Sequence, residues 1–285
     1  MKLSIVVPAY NESETIPELL NQIDSSISGH EKEIIIIDDG STEELSSFIK
    51  DRPDVKLIRH PYNIGNGAAV KKGIKSACGD AIALLDADLQ HPPKELIKLL
   101  NHIPDYDMVV GSRIAFKGHY SRRAANRVFN RLASYVTGQE IIDLTSGFRV
   151  IKADLAKRFV YLLPNGFSYP ATLTLALLKS GGSLKFHPVE MAQRDKGRSK
   201  ISPLKDGVKF MLIIAKIATI YSPFKVFLPV SMFFFLAGLG YYVYTFMTMH
   251  RFTNMSLFLF STSVIIFMLS LIAEQISQLF IKEDD

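Results

Sequence analysis

The sequence predicts an α/β domain built on a mostly parallel sheet, followed by an amphipathic helix and a hairpin of two membrane-spanning helices. Three observations carry this expectation. Short β-rich runs alternate with helical patterns over the first 115 or so residues, acidic segments follow the runs, and two long stretches near the C-terminus contain no charged residue. The chain has 285 residues, 48% of them hydrophobic and 21% charged, with a mean hydropathy of +0.16. That composition excludes a disordered chain and is apolar for a purely soluble enzyme. A single cysteine, Cys78, excludes an intramolecular disulfide framework and a multi-cysteine zinc site, and fits a reducing compartment.

The predicted strands are residues 3–7, 33–37, 56–58, 81–85 and 108–110, with helical patterns between them. Residues 3–7 are too short for the apolar region of a cleavable signal, and Pro8 ends them, so this domain is expected to stay in the cytoplasm. Ligands of such sheets bind beyond the carboxyl ends of the strands. There the sequence places Pro8-Ala9-Tyr10-Asn11-Glu12, Asp38-Asp39-Gly40-Ser41 and Asp86-Ala87-Asp88-Leu89-Gln90. An isolated Asp pair at a strand end reads as helix capping, but three acidic clusters on one rim repel each other unless a cation offsets them. Asp86, Asp88 and Gln90 offer hard oxygen ligands that suit Mg²⁺ or Mn²⁺, and Mg²⁺ commonly shares its shell with substrate phosphates. The same run opens like a calcium-binding loop, but His91 stands at the sixth position in place of Gly and Ile97 at the twelfth in place of Glu. Gly65-Asn66-Gly67 opens like a dinucleotide fingerprint, yet the third glycine is missing and the segment does not follow the first strand. It reads as a tight turn opening a helix.

The charge-free stretches are residues 226–249 and 252–273, each longer than the roughly 20 residues a helix needs to cross a bilayer. His250 and Arg251 alone separate them, so they form an antiparallel hairpin with the preceding domain and the tail 282–285 on one side. Lys205, Lys209, Lys216 and Lys225 precede the hairpin and make that side cytoplasmic. Gly238 and Gly240 permit close helix packing, including between copies of the chain in a homo-oligomer.

The net charge of +5 is concentrated in two places. From 113 to 131 there are six Arg/Lys and no acid, and from 194 to 225 eight against two, leaving the remainder acidic. That pattern suits phosphates or an anionic membrane surface, and no nucleic-acid motif accompanies it. Ser202 and Pro203 open a helix to about 221 whose lysines at 205, 209 and 216 lie opposite Val208, Met211, Leu212 and Ala215, the pattern of a helix in the membrane interface. An earlier helix sets Ala125, Val128, Phe129, Leu132 and Val136 on one face and Arg123, Arg127 and Arg131 on another.

These motifs, with Gly111-Ser112-Arg113, Ser146-Gly147-Phe148 and Arg194-x-x-Gly197-x-Ser199-Lys200, resemble the dolichol-phosphate mannose synthase group of family 2 glycosyltransferases over about residues 3 to 200. The tail resembles that of the bacterial polyprenyl-phosphate members. The resemblance implies a Rossmann-like GT-A fold and transfer of a hexose-type sugar from a GDP- or UDP-sugar to undecaprenyl or dolichyl phosphate, with inversion. It implies that Pro8, Tyr10, Glu12, Asp38 and Asp39 hold the nucleoside, and that Asp86, Ala87, Asp88 and Gln90 meet the donor, with Asp86, Asp88 and Gln90 on the metal. Arg194 and Lys200 would close over the donor phosphates. Arg113 and one of Arg122 or Arg123 would hold the acceptor phosphate, flanked by Ser146 and by Asn126, which stands where a small hydroxyl residue is expected; Asp143 lies beside this site or caps a helix. The corresponding organisation is a catalytic domain at 1–200, an interface helix at 201–224, a hairpin at 225–281 with spans 226–249 and 252–276, and a tail at 282–285, in the cytoplasmic or ER membrane.

The chemistry agrees. A phosphomonoester is largely dianionic at neutral pH and attacks without a protein base, so the site must supply alignment and charge compensation. A processive polysaccharide synthase would carry Gln-x-x-Arg-Trp, but Gln193-Arg194 is followed by Asp195 and the chain has no Trp. An inactive membrane-tethered scaffold or sugar-nucleotide sensor would not need intact acidic and basic motifs together. Lys200→Ala is therefore expected to lower turnover while leaving membrane association intact; unchanged turnover would make residues 194–200 a solvated linker.

Overall fold

A computed structural model of the chain describes residues 1–43, 45–49, 52–113, 120–166, 168–190, 212, 215, 219 and 222–283, without the side chains at 47, 48, 120–125 and 278–283. The basic segment with Arg194 and Lys200, the lysines at 205, 209 and 216, and the side chains of Arg122 and Arg123 lie outside the described residues. Two compact units divide the chain, Met1–Phe210 and Met211–Asp285.

In the first unit, strands β1 (Leu3–Ala9) and β2 (Lys32–Asp38) are apolar runs, buried along nearly their whole length, as strands covered on both faces must be. β3 (Val55–Arg59), β4 (Ala81–Leu84), β5 (Met108–Arg113), β6 (Arg149–Lys152) and β7 (Leu184–Val189) complete a seven-stranded sheet of order β3-β2-β1-β4-β6-β5-β7. β6 runs antiparallel to both neighbours, and the other strands are parallel. The five predicted strands correspond to β1–β5, several extending two or three residues further; β6 and β7 are additions. β1 and β4 are neighbours, but the connection from β1 leads to β2 on one side and that from β4 to β5 on the other, so a crevice opens at their carboxyl ends.

Alternation of side chains assigns the two faces. Leu3, Ile5, Val7 and Ala9, with Ile34, Ile36, Ala81 and Ala83, join one core with α1 (Ile16–Ser26) and α3 (Lys94–Leu100), which contribute Ile16, Leu19, Leu20, Ile23, Leu96, Leu99 and Leu100. Val6 points to the opposite face, against α2 (Asn66–Ser76). α4 (Tyr120–Thr137), α5 (Ala153–Phe159) and α6 (Tyr169–Lys179) complete the unit. On α4 Phe129, Ala133 and Val136 are buried, whereas Val128, of the predicted apolar face, is 54% exposed beside exposed Arg127 and Arg131.

The start of α2 answers the fingerprint question. The Asn165 carbonyl accepts the Ala68 N–H (3.1 Å), and a Cβ on Gly67 would stand 2.1 Å from the Pro164 carbonyl oxygen. The protein's own loop thus occupies the space a dinucleotide would need.

The second unit is the hairpin of α7 (Pro223–Met249) and α8 (Asn254–Glu283), both long and apolar enough to cross a membrane. Its seam is small and polar. Ser231, Gly238 and Thr245 of α7, and Ser256, Ser263, Ser270 and Ser277 of α8, recur every seven residues and are buried, while large apolar side chains face outward. Ser231 and Ser263 each donate to the other's carbonyl at 2.9 Å, and Glu274 accepts the Phe224 N–H at the start of α7 (3.2 Å). Gly238 packs against Leu259 of the hairpin itself; Gly240 faces open space.

Gly67→Ala is expected to destabilise the first unit by roughly 2–3 kcal/mol, since the obstructing atoms are backbone. Its unfolding midpoint in detergent should fall by several degrees relative to wild type; an unchanged midpoint would show that the 164–166 loop yields freely.

Candidate active site

The carboxyl ends of β1, β2 and β4 bring the three acidic clusters to one rim. Pro8 is buried within β1, and Tyr10 and Glu12 are half-buried just beyond it. Asn11 sits at φ 57°, and its Oδ1 accepts from the Thr42 N–H (3.0 Å) and hydroxyl (3.1 Å), while its own N–H meets Ser41 Oγ at 2.9 Å. The first two loops are therefore pinned together.

Asp38 and Asp39 are both buried. Asp38 Oδ1 accepts the Ser41 N–H (2.8 Å), and Arg59 Nε lies 3.4 Å from Oδ2. Asp39 gathers three contacts: His60 Nδ1 at 2.7 Å, the Ile64 N–H at 3.1 Å and the Gly65 N–H at 2.8 Å. Asp39 thereby holds the approach to α2 in place. His60 carries no motif that sequence reasoning could have used; its signal is the approach of β3's end to β2.

In the third cluster Asp86, Asp88, Leu89 and Gln90 are half-buried and Ala87 is buried. Asp88 Oδ1 accepts the Gln90 N–H (3.1 Å), and Leu89 is held at φ 59°, a region a branched aliphatic residue rarely occupies. The two carboxylates and the Gln90 amide form a hard-oxygen donor set. Among the described residues no group of three or more His, Cys, Asp or Glu side chains forms a metal cage. Such a site suits a cation that draws the rest of its shell from substrate oxygens.

Two strands away, Arg113 ends β5. Its Nε and Nη2 meet Asp143 Oδ2 and Oδ1 at 2.7 Å each, and Nη2 also reaches Thr145 Oγ1 at 2.6 Å. Burial would raise the Asp143 pKa, but the hydrogen bonds and charge of Arg113 outweigh it and hold the carboxyl below its ordinary value. Asn130 of α4 steadies this carboxylate's segment, donating to the Ile142 carbonyl and accepting the Leu144 N–H (3.2 Å). Asn126, one turn earlier, is half-buried.

Segment 146–149 lies between the two charged sites because Arg149 of β6 pairs with both Leu84 of β4 and Val110 of β5. Ser146 is 1% exposed and donates to the Gly111 carbonyl (2.6 Å), so it braces β5. Phe148 stacks on His91 with ring centroids 4.9 Å apart and planes within 9°. Burial first, and then the Arg113 charge, push the His91 pKa down to about 4 against the smaller opposing pull of Asp143, so the imidazole is neutral at physiological pH. Arg149 is fully buried, and burial lowers its pKa to about 10 despite Tyr169, Asp143 and Asp86 nearby. Sequence reasoning assigned no role to His91, Arg149 or Tyr169: the first two adjoin recognised motifs, and the third has no local signature.

Residues 4–159 match the model for glycosyl transferase family 2, and residues 222–279 match that for the GtrB C-terminal hairpin. The chain is 32% identical over 214 residues to dolichol-phosphate mannosyltransferase of Pyrococcus furiosus, covering 70% of this chain and 59% of that protein. It is 30% identical over 209 residues to undecaprenyl-phosphate 4-deoxy-4-formamido-L-arabinose transferase of an Enterobacter species, covering 70% and 63%. It thus spans about three fifths of the length of these curated relatives. Glucosyl-3-phosphoglycerate synthase from Mycobacterium tuberculosis, solved with Mn²⁺ and UDP-glucose, superposes with a TM-score of 0.60 at 17% identity, over 75% of this chain and 78% of that one. The mixed, mostly parallel sheet is accordingly a GT-A fold, and with more than half its length inside the family model the chain belongs to glycosyl transferase family 2.

Proposed function

We propose that the protein is a membrane-bound inverting glycosyltransferase that moves a hexose-type sugar from a nucleotide sugar to polyprenyl phosphate. One observation carries the reading: the Asp86–Asp88 carboxylates and the Arg113 guanidinium end strands separated only by β6, about 10 Å apart at ordinary strand spacing. A cation-binding carboxylate pair and a phosphate-binding arginine at that separation suit two phosphorylated substrates meeting head to head. The names of the two relatives, both polyprenyl-phosphate sugar transferases, support the substrate class.

Asp86, Asp88 and Gln90 would hold Mg²⁺ or Mn²⁺, which when bound offsets the negative charge of the nucleotide diphosphate. Pro8, Tyr10, Glu12 and the Asp38–Asp39 loop line the nucleoside end of the crevice, and Ala87 lets the donor approach the third loop. Arg113, oriented by Asp143, fixes the acceptor phosphate, together with Arg122 or Arg123 and with Asn126 on α4. An acceptor phosphate oxygen forms the new bond to the anomeric carbon as the carbon–oxygen bond to the diphosphate breaks on the opposite face. No proton transfer is needed, because the attacking phosphate is already ionised. Arg194 and Lys200 close over the departing diphosphate. The catalytic unit and both termini lie on the cytoplasmic side, anchored by the hairpin, in the cytoplasmic or ER membrane.

The test uses purified protein in detergent with polyprenyl phosphate, Mg²⁺ or Mn²⁺, and radiolabelled GDP- and UDP-sugars, scoring label extracted into organic solvent. Metal-dependent label in the lipid phase that Asp88→Ala loses is the expected result; no lipid product from any donor, with folded protein, refutes the reading. Arg113→Lys keeps the charge but loses the fork that Asp143 orients, and should raise the acceptor KM about ten-fold, or about 1.4 kcal/mol, with the donor KM unchanged. Equal rises in both KM values would remove Arg113 from the acceptor site.

A further inference from the structure

Asp86 is backed by Gly147 and the buried side chains of Tyr169 and Arg149, which the transfer chemistry above does not use. A Cβ placed on Gly147 would stand 2.9 Å from Tyr169 Oη and 3.1 Å from Asp86 Oδ2. The phenol oxygen and the carboxylate oxygen therefore border the same methyl-sized space, which only a glycine leaves open. Tyr169 is 2% exposed and sits in the first turn of α6. The turn that carries it is fixed: the Arg149 guanidinium donates to the Pro170 carbonyl (2.9 Å) and Thr174 Oγ1 (3.0 Å) of that helix, and to the Ser146 carbonyl. Arg149 thus fastens the start of α6 to the segment that carries Gly147.

A buried phenol hydroxyl needs an acceptor, and a carboxylate is the strongest neutral-pH acceptor a protein offers. We propose that Tyr169 is a positioning residue for Asp86, its hydroxyl engaging Oδ2 so that the carboxylate is presented to a divalent cation in one orientation, with Arg149 fixing the tyrosine. The inference rests on the reading of Asp86 as a metal ligand. Partners behind ligating carboxylates typically change metal affinity 10- to 100-fold when removed, which sets the expected effect.

Tyr169→Phe removes the hydroxyl and keeps the buried ring. Mn²⁺ binding is read by electron paramagnetic resonance on the full chain in detergent, with GDP or UDP and no acceptor, so that no turnover contributes. The Mn²⁺ Kd should rise about ten-fold in Tyr169→Phe, and likewise in Gly147→Ala, whose methyl group would crowd both oxygens. In the transfer assay the half-saturating Mn²⁺ concentration should rise in step, with kcat at saturating Mn²⁺ within about two-fold of wild type. Thr172→Val, which alters the same buried turn of α6 through the bond from Thr172 Oγ1 to the Ser168 carbonyl (3.3 Å), should leave Mn²⁺ binding unchanged. An unchanged Kd in Tyr169→Phe, or an equal loss in Thr172→Val, overturns the positioning role while leaving the metal reading intact. Wild-type protein that binds no Mn²⁺ with either nucleotide overturns the metal reading and the positioning role with it.

Discussion

Taking a guanidinium out of water costs several kcal/mol unless its N–H groups find acceptors, and Arg149 meets most of that demand at the centre of the sheet's functional rim, through both terminal nitrogens, while its buried Nε has no hydrogen-bond partner among the described residues. Its donors go to the Ser146 and Pro170 carbonyls and the Thr174 hydroxyl, so one side chain ties β6, the turn before it and the start of α6 together. The backbone of the same residue pairs with Leu84 on one side and Val110 on the other. The acidic loop after β4 and Arg113 at the end of β5 are consequently set on either side of a rigid divider. Were β6 absent, those two strands would be neighbours and the opposite charges would pair with each other.

Charge is kept in separate compartments throughout this rim. Arg113 is neutralised and aimed by Asp143, which lies on its own side of β6, and Asn130 of α4 holds the segment carrying that carboxylate. Asp39 takes its hydrogen bonds from His60 and the backbone before α2, while Asp38 faces Arg59. Asp86 and Asp88 stand half-buried beyond the end of β4, with the buried Arg149 guanidinium near enough to Asp86 for their charges to interact. In the proposed reading a divalent cation complements these two carboxylates.

Much of this was legible in the sequence, for identifiable reasons. β1, β2 and β4 are largely apolar runs with acidic residues at or shortly after their ends, and a parallel sheet places all such ends on one rim. The hairpin was legible because residues 226–249 and 252–273 carry no charge, whereas its seam depends on serines spaced by seven that resemble ordinary polar interruptions. β6 was not legible: Arg149-Val150-Ile151-Lys152 has charged residues at both ends, and nothing local distinguishes a buried arginine from a surface one. β7 alternates, with polar Lys185 and His187 on a half-buried edge, and is too weakly apolar to stand out. Val128 on α4 shows the limit of periodicity, since a helix can satisfy its core with Phe129, Ala133 and Val136 and leave another apolar residue in solvent.

The state of His91 connects these features to the chemistry. An imidazole beside a reaction centre is ordinarily the first candidate for a general base, but burial against Phe148 and the nearby Arg113 charge keep this ring neutral and leave it without a protonation change near pH 7. On the proposed reading, a second cation here would compete with Arg113 for the acceptor phosphate and weaken it as a nucleophile. An uncharged, stacked ring instead adds bulk and excludes water without competing for the anion. On the proposed reading Arg113 and the Asp86–Asp88 pair meet the two phosphate-bearing substrates from opposite sides of β6, and alignment with charge compensation suffices because the nucleophile arrives already ionised.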